Sequence, residues 1–264
     1  MDYELLDCGA FKKIEKFGKF IITRPCMQAV WPISDLKIWR KAHSEFIRSE
    51  PWKGVPSSWV INFNELNIKL VPTNFGHLGV FPEHATHWEW MSRHLQKNNE
   101  VLNLFAYTGT STLYLAKKGF KVCHLDSAKN MIDWGKENAK LNSLTTAPVR
   151  WIVDDATAFL KKEVKRQRKY DAVLLDPPSF GRGTKGQIFK IEKDLPILLG
   201  LIKKVLRKEA FLLLTCHTPG FSPIILENLV QHFFPDLKLE KGEMVISSKN
   251  TSLPSGCYLR GVFG

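Results

Sequence analysis

From about residue 100 onward, short apolar runs alternate with stretches whose apolar residues recur every three or four positions. The first kind, "EVLNLFAYTG", "FKVCHLD", "APVRWIVDDA", "YDAVLLD" and "EAFLLLTCHT", have strand length and predict five buried strands. Between them, "TSTLYLAKKG" reads as a short helix closed by Gly119. "SAKNMIDWGKENAKLN" reads as a helix capped by Ser127, with Ala128, Met131, Ile132, Gly135 and Ala139 along one face. "TAFLKKEVKRQRK" is a basic helix, "KIEKDLPILLGLIKKVLRK" a helix interrupted near Pro196, and "SPIILENLVQHFF" a further helix. Two last strand-like runs, "LKLEKGEMVISS" and "CYLRGVF", follow each other with no helix between them. The pattern predicts an α/β fold: a Rossmann-like, doubly wound, mostly parallel seven-stranded sheet with an antiparallel edge.

The first 90 residues have another texture. "LDCGAFKKIEKFGKFIITRPCM" alternates apolar and polar positions, punctuated by Gly9 and Gly18, which predicts short antiparallel strands. "DLKIWRKAHSEFIR" is helix-like, and "SWVINFNELNIKLVPTNFGHLGVF" predicts a hairpin turning at Asn64-Glu65. We therefore expect a small β-rich N-terminal module over residues 1–90, ending in a helical joint from Glu83 to Asn99, and an α/β domain over residues 91–264.

Charge narrows the choice of partner. The 38 Lys and Arg against 26 Asp and Glu give a net charge of +12, and a surface this basic attracts polyanions, nucleic acid first among them. The five cysteines are widely spaced, with no CxxC pair, which fits a reducing cytoplasm and argues against a disulfide framework or a zinc site. The scattered histidines suggest no metal site either. No apolar run reaches membrane-spanning length, and the acidic start "MDYELLDCGA" lacks a secretion pattern.

The candidate chemistry sits at strand ends. Gly109 follows the first buried strand and opens a helix, and Asp126 ends the second strand, where a carboxylate can grip a ribose diol. A dinucleotide site would need G-x-G-x-x-G to seat its pyrophosphate; only Gly109 is present, which favours S-adenosylmethionine (SAM). Asp155 ends the third strand, where it can accept from an adenine amino group or cap the next helix. Asp176 ends the fourth strand in "DPPSFGRG", aimed by two prolines.

In order and spacing, "VLNLFAYTGTSTLYLAKKGFKVCHLDSAKNMIDWGKENAKLN", "IVDDA" and "DAVLLDPPSFGRG" resemble class I SAM-dependent methyltransferases. The resemblance spans residues 75–262 and points to the bacterial large-subunit rRNA methyltransferases, a group with cytosine-C5 and guanine-N7 enzymes. It implies that Asn103, Phe105, Tyr107 and Gly109 line the methionine side, that Asp126 takes the ribose, Asp155 the adenine, and that Asp176 faces the target base. It also implies that Phe81, Pro82 and Glu83 close over the cofactor.

The target atom decides what else is needed. Enzymes acting on exocyclic amines carry an aromatic residue after the two prolines; Ser179 stands there, and Phe180 one step later. Cytosine C5 needs a thiolate to add at C6. Cys216, ending the fifth strand beside Asp176, is the candidate nucleophile, although cysteine is also a common buried hydrophobe. On the substrate side, Pro177 stiffens the loop, Phe180 can stack on a base, and Arg182 and Lys185 can meet phosphates. The expectation is a cytoplasmic methyltransferase acting on an RNA base, with cytosine C5 favoured. Guanine N7 without a cysteine nucleophile is the enzymatic alternative, and a non-catalytic RNA-binding protein retaining a SAM pocket the other.

Overall fold

The chain, described over residues 2–183 and 186–263 of a computed structural model, divides into two units: Met1–Ala85 with Val245–Ser255, and Thr86–Met244 with Gly256–Gly264. The division falls at Ala85, and a segment near the C-terminal end joins the N-terminal unit. Among the described residues no helix is long and apolar enough to cross a membrane.

In the N-terminal unit, β1 (Tyr3–Gly9), β2 (Lys12–Phe17) and β3 (Phe20–Pro25) form an antiparallel meander. Glu15 is fully buried within it; Arg24 donates to one of its carboxylate oxygens twice (2.8 and 2.6 Å) and the Tyr3 hydroxyl to the other (3.0 Å). The helix-like stretch after Asp35 gives only one turn, α1 (Leu36–Trp39). Tertiary ties override its propensity: the Trp39 indole donates to Asp7 at 2.8 Å, and the chain then extends as β4 (Ser44–Glu45) alongside β3. A separate hairpin, β5 (Trp59–Phe63) and β6 (Leu66–Leu70), turns at Asn64 and Glu65 with φ of 45° and 67°, both left-handed as a two-residue type I′ turn requires. A 3-10 turn at Pro82–His84 leads into α2 (Ala85–Arg93).

The second unit then repeats strand and helix: β7 (Glu100–Leu104), α3 (Thr110–Lys117), β8 (Lys121–Asp126), α4 (Lys129–Leu141), β9 (Val149–Val153), α5 (Ala156–Lys165) and β10 (Tyr170–Leu175). A small ribbon, β11 (Phe180–Arg182) with β12 (Ile188–Lys190), precedes α6 (Ile191–Val205), β13 (Leu206–Cys216), α7 (Pro223–Phe233), β14 (Leu237–Ser247) and β15 (Ser252–Phe263). The sheet order is β14-β15-β13-β10-β7-β8-β9; the last five are parallel and β15 runs antiparallel to β13. Strand order reverses between β7 and β10, the place where an open α/β sheet leaves a crevice at its carboxyl edge. Leu102, Leu104, Val173, Leu175, Leu212 and Leu214 fill the sheet's interior, each no more than 2% exposed.

Two local expectations are corrected. Ser127 does not cap α4; Ala128 occupies that position, and the Asp126 carboxylate takes its amide at 2.9 Å. Pro196 does not interrupt α6. It sits in the second turn, and burial of Leu195, Leu198, Leu199, Ile202 and Val205 outweighs a proline cost of about 3 kcal/mol. Trp88 is part of the core: it is 2% exposed, stacks on Tyr114 at 4.8 Å and donates to Ser111 at 3.0 Å.

Gly135 marks the tightest helix–sheet approach near the crevice. A Cβ there would lie 2.7 Å from Cζ3 of Trp151, whose indole also packs on the His124 ring at 4.6 Å. Gly135→Ala would gain up to about 1 kcal/mol of helix propensity but overpack a rigid indole at about 1–3 kcal/mol. The expected net effect is destabilisation in urea unfolding; a more stable variant would show that the indole yields without cost.

Candidate active site

The turn after β7 is built against conformational preference. Phe105, Tyr107 and Gly109 have φ of 55°, 52° and 86°, and left-handed backbone costs a non-glycine residue about 1–2 kcal/mol. Hydrogen bonds hold each step: Ala106 N donates to Leu125 O at 3.0 Å, Tyr107 N to Asp126 Oδ2 at 3.0 Å, and Gly109 N to Ala106 O at 3.1 Å. The buried Asn138 amide on α4 donates to Thr108 O at 3.1 Å. Phe105 and Tyr107 are half-buried at the sheet edge, beside Phe189 (5.3 Å) and Trp134 (6.2 Å) respectively.

Beneath this turn lies a polar relay. Asn103 Nδ2 donates to Thr112 Oγ1 at 3.0 Å, and Thr112 Oγ1 lies 2.9 Å from His124 Nδ1. Asn103, expected on the methionine side, is 7% exposed and spends its amide on α3 instead. His124 is fully buried; burial pushes its imidazole down to about 3, a hydrogen bond with the Tyr107 backbone offsetting this only slightly. It is therefore neutral at neutral pH.

Asp126 receives one backbone amide on each oxygen, Tyr107 N on Oδ2 and Ala128 N on Oδ1. Burial raises its pKa, and these amides work the other way. A carboxylate oxygen has two lone pairs, so each oxygen can still accept from a vicinal diol. Asp155 caps α5, accepting from Ala158 N at 2.8 Å on Oδ1; its second oxygen is compatible with an adenine amino group. The residues at this edge fit a nucleoside: acceptors for a ribose and an amine, and no glycine-rich turn for a pyrophosphate.

Asp176 is clamped from the neighbouring strand. The Thr215 hydroxyl donates to Asp176 Oδ1 at 2.8 Å, His217 Nε2 lies 3.6 Å from Oδ2, and Ser179 Oγ meets Thr218 Oγ1 at 2.8 Å. Pro177 is buried, whereas Phe180 is half-exposed and Arg182 lies over its ring at 6.0 Å. β11 places these two side chains on one face. Lys185 lies outside the described residues.

Cys216 is not brought to this carboxylate. Register pairs Leu175 with Leu214, so the next residue, Thr215, lies beside Asp176, and Cys216 points to the other face of the sheet. It is 1% exposed, packed in the hydrophobic core opposite Cys257, and Cys257 Sγ donates to its carbonyl at 3.7 Å. Phe81 and Glu83 lie in the N-terminal unit, on a cavity of about 220 Å³ that also includes Phe46, Phe75 and His77. At α5, Lys162 pairs with Asp154 (2.6 Å), and Arg166, just past its end, pairs with the buried Glu163 (2.8 Å).

Thr215 and Asn138 escaped the sequence reading. Only the parallel register, which sequence does not print, reveals Thr215 as the neighbour of Asp176.

Comparison with known proteins bears on this geometry. A family model described as S-adenosylmethionine-dependent methyltransferase matches residues 36–242. The structure of the SAM-dependent methyltransferase from Agrobacterium tumefaciens superposes with a TM-score of 0.95 and 31% identity, covering 100% of this chain and 91% of that one. SMU.776 complexed with S-adenosylhomocysteine shares the fold, with a TM-score of 0.80 and 17% identity over 99% of this chain and 75% of that one. Ribosomal RNA large subunit methyltransferase K/L of Vibrio cholerae is 28% identical over 182 residues, 67% of this chain but 23% of that protein. The chain thus spans about a quarter of the length of the curated relatives it matches.

The neutral burial of His124 sets a pH dependence. Its folded pKa is depressed from 6.5 to about 3, so below 6.5 the unfolded chain binds the extra proton. Stability attributable to this residue is complete above pH 6.5 and falls with acid by about 1.4 kcal/mol per pH unit down to about 3. His124→Gln, compared with the parent by urea unfolding at pH 7, 6 and 5, should flatten that slope by about one proton; parallel profiles would refute the assignment.

Proposed function

The chain belongs to the S-adenosylmethionine-dependent methyltransferase family, and on that premise we propose that it methylates a base of ribosomal RNA in the cytoplasm, at a nitrogen that attacks with its own lone pair. Guanine N7 is the reading of that kind which fits best. The +12 charge and the rRNA methyltransferases among the relatives support an RNA substrate.

When bound, SAM supplies an electrophilic methyl on a sulfonium. Asp126 would hold its ribose, Asp155 its adenine, and Phe105, Tyr107 and Gly109 its methionine side. Asp176 accepts from N–H groups on the edge of the base away from the methyl. Thr215 and His217 fix the rotamer of that carboxylate, so orientation is prepaid before the base arrives. Phe180 stacks on the base and Arg182 meets a flanking phosphate, with Lys185 from the same loop.

The observation that carries the choice of atom is the pairing of Asp176 with Thr215 while the Cys216 thiol is buried on the opposite face. A nitrogen lone pair needs alignment and charge complementarity; cytosine C5 needs a thiolate within bonding reach of C6. One fact favours the cytosine route: a hydrogen bond from the Cys257 thiol lowers the pKa of Cys216 against the opposing effect of burial.

Labelled SAM and rRNA from a strain lacking the gene separate the two. Cys216→Ala should keep transfer within about 3-fold, while Asp176→Ala should lose on the order of 100-fold, as for removal of an oriented group in a reaction centre. Abolished transfer in Cys216→Ala, with SAM affinity intact, would establish the covalent pyrimidine route instead. Asp126→Asn should weaken SAM binding by calorimetry by about 1.5–3 kcal/mol, the worth of hydrogen bonds to a charged acceptor; unchanged affinity would remove Asp126 from the ribose site.

A further inference from the structure

The carboxyl edge of the sheet carries Asp126, Asp155 and Asp176, and it is not where the second unit concentrates positive charge. That lies at the amino edge, where the five parallel strands begin. Register puts Leu206 beside Tyr170, Glu100 beside Lys121, and Val122 beside Val149. Between their paired residues, β10 spends only Asp171, whereas β13 spends four residues from Arg207 to Ala210. The excess bulges outward and leaves Arg207, Lys208 and Glu209 exposed.

A cavity of about 420 Å³ opens beside this bulge. Lys203, Arg207, Lys208 and Asp236 stand around it, and the half-buried Phe233 and Phe263 supply its apolar wall, with Phe263 edge-on to the buried core residue Phe234 at 5.9 Å. Farther along the same edge, a second cavity of about 260 Å³ is rimmed by Lys121, Arg150 and Arg168 over Val122 and Pro148. Lys169, donating to Lys204 O at 2.9 Å, lies between.

Four carboxylates share this edge with the cations: Asp236 lines the larger cavity, Glu209 is exposed in the bulge, and Glu100 and Asp171 are held in ion pairs. Glu100 is engaged by Arg168 at 2.6 Å and Asp171 by Arg207 at 3.0 Å. Among the described residues, Lys203, Lys204 and Lys208 take part in no ion pair, and all three are exposed. Cations alternating with aromatic or apolar hollows match a polynucleotide, whose phosphates meet the cations and whose bases lie on the rings. An acidic peptide would satisfy the cations and leave the phenylalanine wall unused.

We propose that this amino edge is a second RNA-binding surface, with the cavity between α6, α7 and the β13 bulge holding a nucleotide. It rests on the reading that the substrate is RNA. The six-residue β10 separates the surface from Asp176 by roughly 20 Å. It therefore engages a long substrate and is bypassed by a short oligonucleotide covering only the target base.

The test uses the full chain and its Lys203→Glu, Arg207→Glu, Lys208→Glu triple variant, all exposed positions whose folding is checked by circular dichroism. Affinity for a long single-stranded rRNA fragment is followed by fluorescence anisotropy across about 50–200 mM salt. Loss of three phosphate contacts should lower the slope of log affinity against log salt by about 2 and weaken low-salt binding at least about 10-fold. SAM affinity and transfer to the short oligonucleotide should stay at the parent level. A triple variant that binds the long RNA with the parent's slope overturns this surface while leaving the RNA reading intact. A parent protein with no salt-dependent RNA affinity overturns the RNA reading, and this surface with it. Displacement of the RNA by polyglutamate of matched charge, at equal concentration, would assign the edge to an acidic protein and overturn the proposal.

Discussion

One carboxylate holds the carboxyl edge together. Asp126 ends β8, yet its two oxygens are bound by amides from the turn after β7 and from the start of α4. The turn it stabilises contains two non-glycine residues in left-handed backbone, a conformation that persists only when surroundings impose it. Asp126 supplies part of that constraint, and Asn138 and the Leu125 carbonyl supply the rest. The same carboxylate is the acceptor proposed above for the ribose. Shape and recognition at this edge are thus not separable: a side chain that only bound the ligand could be exchanged more freely than one that also bends the backbone around it.

Asp176 obeys a similar logic on the substrate side, with different means. The Thr215 hydroxyl of β13 donates to it, and His217, just past the end of that strand, lies 3.6 Å away. A neutral hydroxyl orients a carboxylate without neutralising it, which suits the acceptor role proposed for Asp176. The buried Cys216–Cys257 pair, on the opposite face of the same strand, belongs to the core that supports this arrangement.

Much of the architecture was legible because parallel strands covered on both faces must be apolar throughout, and their helices must punctuate them. The seven-stranded sheet, its antiparallel edge, and the Asn64-Glu65 turn follow from such local signals. The acidic residues at strand ends were legible for the same reason: a charge at the end of a buried run is conspicuous. What stayed hidden depends on pairing between distant segments. Thr215 matters because of its register with Asp176, and Cys216 fails to face the crevice for the same reason. Ser127 looked like a cap because no sequence shows Asp126 reaching back to Ala128. The one-turn α1 lost its predicted length to Asp7, which draws in Trp39 from 32 positions away.

The segment Val245–Ser255 groups with the N-terminal unit, and Thr251 lies 3.3 Å from the Cys8 thiol. The N-terminal unit is therefore completed by a segment that follows most of the second unit in sequence. At about 5–20 residues per second, synthesis of the intervening chain takes roughly 10–30 s, during which the early strands lack their final segment. Thr86–Met244 of the second unit is translated inside that interval. Completion of the N-terminal unit thus waits on synthesis of Val245–Ser255, and a chain cut short after α7 would leave both units incomplete at once.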